Sequence, residues 1–236
     1  MRQFLFSLLI TTQVLCLSQT EKRNKKIEIK RLSLNVNFGT AYNIPTYLKI
    51  HQSGYDPITL LAKYATKGFE SPVYWDYRLE AETESKFIGL RSTHHKLILT
   101  NLPAEVSSFS ITHGYNLVMA YFGWKKKYFD LLIGGGIAFS HPEGVVFNSF
   151  IALEEGIPLI GGKYRLTAPN FDVEIKKKWY FTKRFFLNTG ISFLAGYAKP
   201  NIIDGYIETY PIGIHWAGGL GIDFYNKKKC STCSDK

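Results

Sequence analysis

The chain has 236 residues and a formal net charge of +10 at pH 7, from 29 Lys and Arg residues against 19 Asp and Glu residues. This length suits one ordinary domain. No stretch beyond residue 18 has the ~20 continuous apolar residues of a transmembrane helix, which argues against a helical membrane protein. The positive charge suits anionic lipopolysaccharide as a partner and equally suits a solvated rim. Because nothing beyond that charge points to nucleic acid, we expect no nucleic-acid binding.

The N-terminal residues have the pattern of a secretory signal peptide. A basic residue is followed by the apolar run Phe4–Leu17, with small residues just before Gln19. We therefore expect a signal peptide over 1–18, a strand-rich domain over 19–226 and a polar C-terminal tail over 227–236. A secreted chain with 17 Phe, 15 Tyr and 20 Gly residues fits a β-barrel of the bacterial outer membrane.

The first clear alternation of apolar and polar residues covers segment 32–39. Its apolar members are Leu32, Leu34, Val36 and Phe38, which are separated by Ser33, Asn35 and Asn37. A period of two residues predicts a half-buried strand. The long connection Thr40–Ser71 follows, and within it Asp56 and Pro57 are typical of a helix N-cap and first helical position. We therefore predict a short helix over Ile58–Tyr64.

Nine further segments have strand patterns, and no repeat or second domain interrupts them. In chain order they are Val73–Thr83, Phe87–Leu99, Ser107–Phe122, Tyr128–Ser140, Val146–Ala152, Leu159–Thr167, Phe171–Phe181, Phe185–Tyr197 and Pro211–Tyr225. Some of these candidates could merge, and bacterial single-chain barrels have an even number of strands. We predict an all-β fold: a monomeric, antiparallel, transmembrane up-and-down β-barrel of eight or ten strands.

The lengths of the connections predict how the barrel is oriented. Long connections are extracellular and short turns periplasmic in such barrels. With the N-terminus on the periplasmic side, Thr40–Ser71, Asn101–Glu105 and the region of Pro142 lie outside, whereas Thr83–Lys86 and Lys125–Lys127 lie inside.

Two histidines lie at similar distances from the connection that contains Pro103. A symmetric hairpin would place His94 opposite His113, and directly opposed residues share a face. We expect this face, with Lys96, to point outward, because the other face is polar, rich in small residues and suited to the lumen. That luminal face includes Asn116. A slip of one residue would reverse the assignment for one strand.

A third histidine follows the next strand. Ile137 and Phe139 have the alternation of lipid-facing residues, which places His141 on the same side, with Glu143 two residues later. Imidazole and carboxylate groups bind iron, zinc or copper, and a histidine–carboxylate pair can act as a general acid–base catalyst. Lys96 could bind a phosphate. Considered singly, each histidine is explained as well by a structural hydrogen bond.

Four segments carry a resemblance to a known family: S-P-V-Y-W from Ser71, G-L-R-S-T-H-H-K from Gly89, F-S-I-T-H-G-Y-N-L from Phe109 and G-G-G-I-A-F-S-H-P-E from Gly134. Over residues 71–143 the chain resembles the lipid A oxidase-like group of bacterial outer-membrane β-barrel proteins. The resemblance implies oxidation of the proximal glucosamine of lipid A to 2-aminogluconate, with O2 and a divalent cation. At the matched positions, the implied metal ligands are His94, His113 and His141, the implied catalytic residues are Lys96 and Glu143, and Asn116 is a further site residue.

Two other functions are compatible with these residues. A lipid A acyl hydrolase would use Ser92 as the nucleophile, with His94 or His113 as the base. A non-catalytic structural or adhesion barrel would carry the histidines as groups at its rim. A transport pore is disfavoured, because side chains largely fill the interior of a barrel this small.

Overall fold

The computed structural model describes residues 28–151, 153, 156–157 and 164–226, so the predicted signal peptide and the C-terminal tail lie outside the described residues. The strands of the described part, in chain order, are β1 (Arg31–Asn43), β2 (Thr46–Gln52), β3 (Ile58–Ala62), β4 (Tyr64–Ala65), β5 (Trp75–Glu82), β6 (Lys86–Leu99), β7 (Val106–Lys125), β8 (Asp130–Ser140), β9 (Glu143–Val146), β10 (Ser149–Phe150), β11 (Arg165–Tyr180), β12 (Phe185–Gly196), β13 (Asn201–Ile202), β14 (Gly205–Thr209) and β15 (Ile212–Asn226). No helix in this part is long and apolar enough to cross a membrane.

Eight of the strands form one closed antiparallel wall. Around the barrel the order is β1, β5, β6, β7, β8, β11, β12 and β15, and β15 pairs with β1 to complete the ring. The predicted up-and-down β-barrel is therefore confirmed, with eight strands. The predicted strand Val146–Ala152 is not part of the wall, because β9 and β10 form a short hairpin beside β7.

The predicted helix in the first long connection is wrong. Ile58–Ala62 forms β3, which pairs with β2 along its whole length. Ile58 and Ala62 are buried and Leu61 is exposed, which suits a strand with one covered face. Pairing with β2 therefore overrides the helix-start signal of Asp56 and Pro57, because local propensity is weak beside tertiary packing.

The two faces of the wall differ sharply in polarity. Outward-facing positions form an exposed apolar belt that includes Leu34, Phe38, Leu79, Ile88, Leu90, Val118, Ile133, Ile137, Ile175, Leu187, Ile191, Phe193, Trp216, Leu220 and Phe224. Inward-facing positions of the same strands are mostly polar or charged. An exposed apolar belt around a closed, polar-filled barrel suits a wall that crosses a lipid bilayer, because no backbone edge is left unpaired.

A buried ionic network fills the lumen toward the short turns. Arg91 contacts Asp76, and its Nη1 atom lies 2.7 Å from Asp172 and 3.1 Å from Glu174. Arg78 is bonded to Asp76 and Glu174 in the same network. Closer to the turns, Glu80 pairs with Lys176 and Lys178. Because charged side chains pack the lumen, the barrel interior is not an open pore.

The long-connection end of the barrel is closed by a cap. We use this name for the four-stranded sheet of β13, β14, β2 and β3. Its buried residues Leu48 and Ile207 belong to one apolar cluster with Leu97, Phe109 and Ile111 of the wall. The three short turns 83–85, 126–129 and 181–184 lie at the opposite end of the barrel. This asymmetry agrees with the predicted orientation.

Candidate functional site

The pairing of β6 and β7 differs from the symmetric hairpin that the sequence predicts. His94 lies opposite Asn116, not opposite His113, and Leu97 lies opposite Ile111. Residues 112–114 of β7 therefore face the single residue Lys96, which makes this stretch a bulge. Gly114 has a φ of 135°, a backbone conformation that L side chains rarely adopt, and it allows the bulge to form.

The faces of β7 are the reverse of the prediction, because the pairing near the hairpin differs by one residue from the symmetric register: Ile111 lies opposite Leu97 and not opposite Lys96. Tyr115, Leu117 and Met119 point into the barrel and are buried, although the symmetric register placed them outside. Asn116 points outward beside His94, so the prediction that Asn116 lies in the lumen is wrong. His94 alternates with luminal residues on β6 and faces outward, as predicted.

His94 is held in a defined orientation on the outer wall. Its Nδ1 atom lies 2.8 Å from Asn116 Oδ1, and since a carbonyl oxygen only accepts, Nδ1 carries the proton. Trp75, its register partner on β5, stacks on the imidazole with a centroid distance of 5.6 Å and an interplanar angle of 16°. His94 is only 4% exposed, although it lies on the outward face.

Lys96 lies two residues further along the same outward face. Its Nζ atom donates to the backbone carbonyl of Glu70, 2.8 Å away, and the residue is buried. Glu70 belongs to segment 67–73, which is part of the connection between β4 and β5 and lies over Lys96 through this hydrogen bond. The carboxylate of Glu70 points elsewhere and pairs with Lys67. Segment 67–73 must therefore shift before Lys96 could contact a ligand.

His141 and Glu143 lie together, as the sequence predicts. The His141 Nε2 atom is 3.7 Å from Glu143 Oε1, and the Tyr164 ring meets the imidazole edge-on at 5.5 Å. The pair lines an open groove of about 450 Å³, whose other walls include Ser108 and Ser110. Within this groove the Glu143 side chain is 40% exposed, whereas His141 is buried.

The predicted metal ligands do not complete a metal site among the described residues. In the described ranges, no three His, Cys, Asp or Glu side chains are close enough to hold an ion together. His113 is in the bulge, and its side chain lies outside the described part. We therefore derive no chemical step through a metal at this site.

Sequence reasoning missed two contributors to the site. The Trp75 ring could have been found, because the tight turn after β5 places Trp75 opposite His94. The contact of the Glu70 carbonyl with Lys96 could not have been found, because nothing in the sequence shows that segment 67–73 folds back over Lys96. His95, next to His94 on β6, faces the lumen and is buried.

The closed wall, the apolar belt and the charged lumen define a transmembrane β-barrel of the bacterial outer membrane. The solved structure of the outer membrane protein OprG from Pseudomonas aeruginosa is similar, with 10% identity and a TM-score of 0.51 over 84% of this chain and 97% of OprG. At this identity the likeness supports the fold alone.

Two other solved structures are more distant in shape. Ail of Yersinia pestis matches with 10% identity and a TM-score of 0.36 over 80% of this chain and 99% of Ail. The outer membrane protease OmpT of Escherichia coli matches with 9% identity and a TM-score of 0.42 over 87% of this chain and all of OmpT. No protein family and no curated protein matches the chain.

Proposed function

We propose that the protein binds the headgroup of lipid A on its outer wall and modifies it there. The observation that carries the proposal is the His141–Glu143 pair in an open groove, on the same wall as the outward-facing patch of His94, Asn116 and Lys96, with β7 bordering both. Polar groups on the lipid side of a membrane barrel are costly, so they are expected to have a role.

The height of this patch supports a headgroup as the ligand. Along the outward face of β6, Ile88 and Leu90 are exposed and apolar, whereas Ser92, His94 and Lys96 are polar toward the long connections. On β7 the same change occurs between Val118 and Asn116. The hydrocarbon of the bilayer therefore ends near this level, and the sugars and phosphates of outer-leaflet lipid A lie directly above it.

The chemistry of the patch suits an anionic sugar. A histidine beside a carboxylate can take and return a proton during reaction of a hydroxyl group. The ammonium group of Lys96 can pair with a phosphate once segment 67–73 moves. The hydrogen bond from His94 to Asn116 fixes which imidazole nitrogen faces a ligand.

Oxidation of the proximal glucosamine, with O2 and a divalent cation, is the form of this activity that the family resemblance favours. In that form, His94, His113 and His141 would bind the cation, and the ion content of the refolded protein tests this assignment. The acyl hydrolase form has less geometric support. Ser92 lies opposite Val118 and Tyr77, so neither neighbouring strand places a histidine across from it.

The experiment uses the purified protein, refolded into vesicles that contain lipid A, with air and divalent cations present. The mass spectrum of the lipid is then compared with that from His141→Ala and Glu143→Gln, and His51→Ala, in the cap, is the matched control. We expect a new lipid A species with the wild type and the control, and its loss with both groove variants. A gain of one oxygen atom identifies an oxidase, and loss of an acyl chain identifies a hydrolase.

If lipid A is unchanged by the folded wild type, the proposal is wrong, and the non-catalytic structural or adhesion barrel is the function that remains. A second arm adds a chelator during the assay. Loss of the product with chelator supports a metal-dependent oxidase. An unaffected product excludes a catalytic role for the divalent cation and supports acid–base catalysis by His141 and Glu143.

A further inference from the structure

A second histidine cluster lies inside the barrel, between the ionic network and the cap. His95 and His215 are both 1% exposed, and their rings meet edge-on with a centroid distance of 4.6 Å. Thr66 Oγ1 lies 3.2 Å from His95 Nε2 and accepts a hydrogen bond from Asn43 Nδ2 at 2.9 Å. The Tyr74 hydroxyl lies 3.1 Å from His215 Nδ1. These side chains form one connected luminal group.

Three buried polar atoms of this group have no hydrogen-bond partner among the described residues. They are Asn43 Oδ1, His95 Nδ1 and His215 Nε2. Buried polar atoms are nearly always satisfied, and leaving one without a partner costs about 1–3 kcal/mol. Three such atoms in one cluster indicate that a further group contacts them.

Gly213 leaves room for that group. It lies opposite Asn43 in the pairing of β1 with β15, and on the same inward face as His215. A Cβ atom at this glycine would lie 2.9 Å from the backbone oxygen of Tyr42, 3.4 Å from His215 Nε2 and 3.5 Å from Asn43 Oδ1. The two side-chain atoms therefore border the same small space, which any other residue type would begin to fill.

We propose that this space holds one transition-metal ion of the zinc or copper class, bound by His95 Nδ1, His215 Nε2 and Asn43 Oδ1. Imidazole nitrogens are favoured ligands of these ions. This site is inside the lumen and is distinct from the outer-wall residues.

The surroundings of the two imidazoles support an ion more than a water molecule. Metal-bound histidines usually donate from their other nitrogen to a fixed acceptor. Thr66 Oγ1 and the Tyr74 hydroxyl oxygen can both accept in this way, which leaves a lone pair on the two unpartnered nitrogens. In the adjacent network, three carboxylates, those of Asp76, Asp172 and Glu174, face two guanidinium groups, so a nearby cation is compensated.

The test loads the ion during refolding, because the cap closes the lumen from one end and the ionic network fills the other. The full chain is refolded in detergent with Zn²⁺ or Cu²⁺, passed over a desalting column and assayed for metal content. Electron paramagnetic resonance of the Cu²⁺ form reports nitrogen ligation. We expect one ion per chain, with nitrogen ligands.

The variants separate this site from other histidines. His95→Gln and His215→Gln should each lose the ion, because each removes one of the nitrogen ligands. The double variant His94→Gln/His141→Gln and the control His51→Ala should retain the ion. Heat-dependent migration on gels reports whether each variant has formed its barrel.

Several results would overturn the proposal. The proposal is wrong if the folded wild type takes up no ion. It is also wrong if both luminal variants, His95→Gln and His215→Gln, keep the ion. Loss of the ion with His94→Gln/His141→Gln alone would move the site to the outer wall. If the luminal variants fail to fold, the wild type decides, because a bound ion must raise its unfolding midpoint as ion concentration rises.

Discussion

The Nδ1 atom of His94 lies 2.8 Å from the Oδ1 atom of Asn116, across two neighbouring strands and on the outward face of the barrel. This contact depends on the bulge at 112–114, which shifts the pairing by two residues and so places Asn116 opposite His94. A functional patch is therefore built by an irregularity of the ladder and not by the regular alternation of the strands.

Replacing Gly114 with Ala should disrupt this contact. The residue has a φ of 135°, and a Cβ atom there would lie 2.1 Å from Asn116 Nδ2, so the amide must move away from His94. We expect a loss of about 1–3 kcal/mol of stability from backbone strain and a loss of lipid A modification. Urea unfolding in vesicles measures the first effect.

Gly218→Ala is the matched control for this change. Its Cβ atom would meet only ordinary contacts of 3.5 and 3.7 Å, so stability and activity should stay close to wild type. Equal behaviour of the two alanine variants would show that the bulge does not need a glycine.

Arg91→Met should strongly destabilise the barrel. Arg91 is the shared partner of three luminal carboxylates, those of Asp76, Asp172 and Glu174. Removing one member of a buried ionic group leaves uncompensated charge and costs about 3–5 kcal/mol. Lys30→Met removes the exposed pair with Glu28 and should cost about 0–1 kcal/mol. Similar unfolding midpoints for the two variants would contradict a buried network.

The cap predicts a contrast between two leucines of one small sheet. Leu48 is fully buried in the apolar cluster that joins the cap to the wall, so Leu48→Ala should cost about 2–5 kcal/mol. Leu61 is exposed on the neighbouring strand, and Leu61→Ala should change stability by less than about 0.5 kcal/mol. Hydrogen exchange over 46–62 should rise in the first variant alone. If residues 46–62 were equally protected from hydrogen exchange in Leu48→Ala and Leu61→Ala, the cap would not pack on the wall through Leu48.

Leu90→Lys tests whether the apolar belt faces lipid. Leu90 points outward from β6 and is 58% exposed, so a lysine there would sit in hydrocarbon. The expected cost is about 2–4 kcal/mol near the bilayer midplane. Tyr47→Lys, on the exposed side of the cap, should cost little. The free energy of unfolding in vesicles distinguishes them, and an unaffected Leu90→Lys barrel would place this face outside the bilayer.

Strand alternation in the sequence was enough to predict the class of fold, because most wall strands carry one apolar and one polar face. The short helix was mispredicted, since the signal at Asp56 and Pro57 is local and the pairing of β3 with β2 is not. The number of strands stayed open between eight and ten because nothing local shows which candidates merge. In the structure, β11 continues through a register shift between Thr167 and Asn170.

Part of the candidate site was also predictable from strand alternation. His94 and Lys96 follow the alternation of a regular strand, and His141 and Glu143 are close in sequence, so their positions could be inferred. The position of Asn116 could not be inferred. A difference of one residue in the hairpin register reverses the face of every β7 residue, and the bulge that shifts Asn116 opposite His94 has only a glycine as its signal.

The most direct measurement of the central claim is the mass spectrum of lipid A from cells that lack the protein and from cells that overproduce it. If the outer wall modifies lipid A, a species should appear with overproduction and disappear with deletion, and the His141→Ala variant should behave as the deletion. Identical lipid A in all three strains, with the barrel present in the outer membrane, would contradict the proposed function.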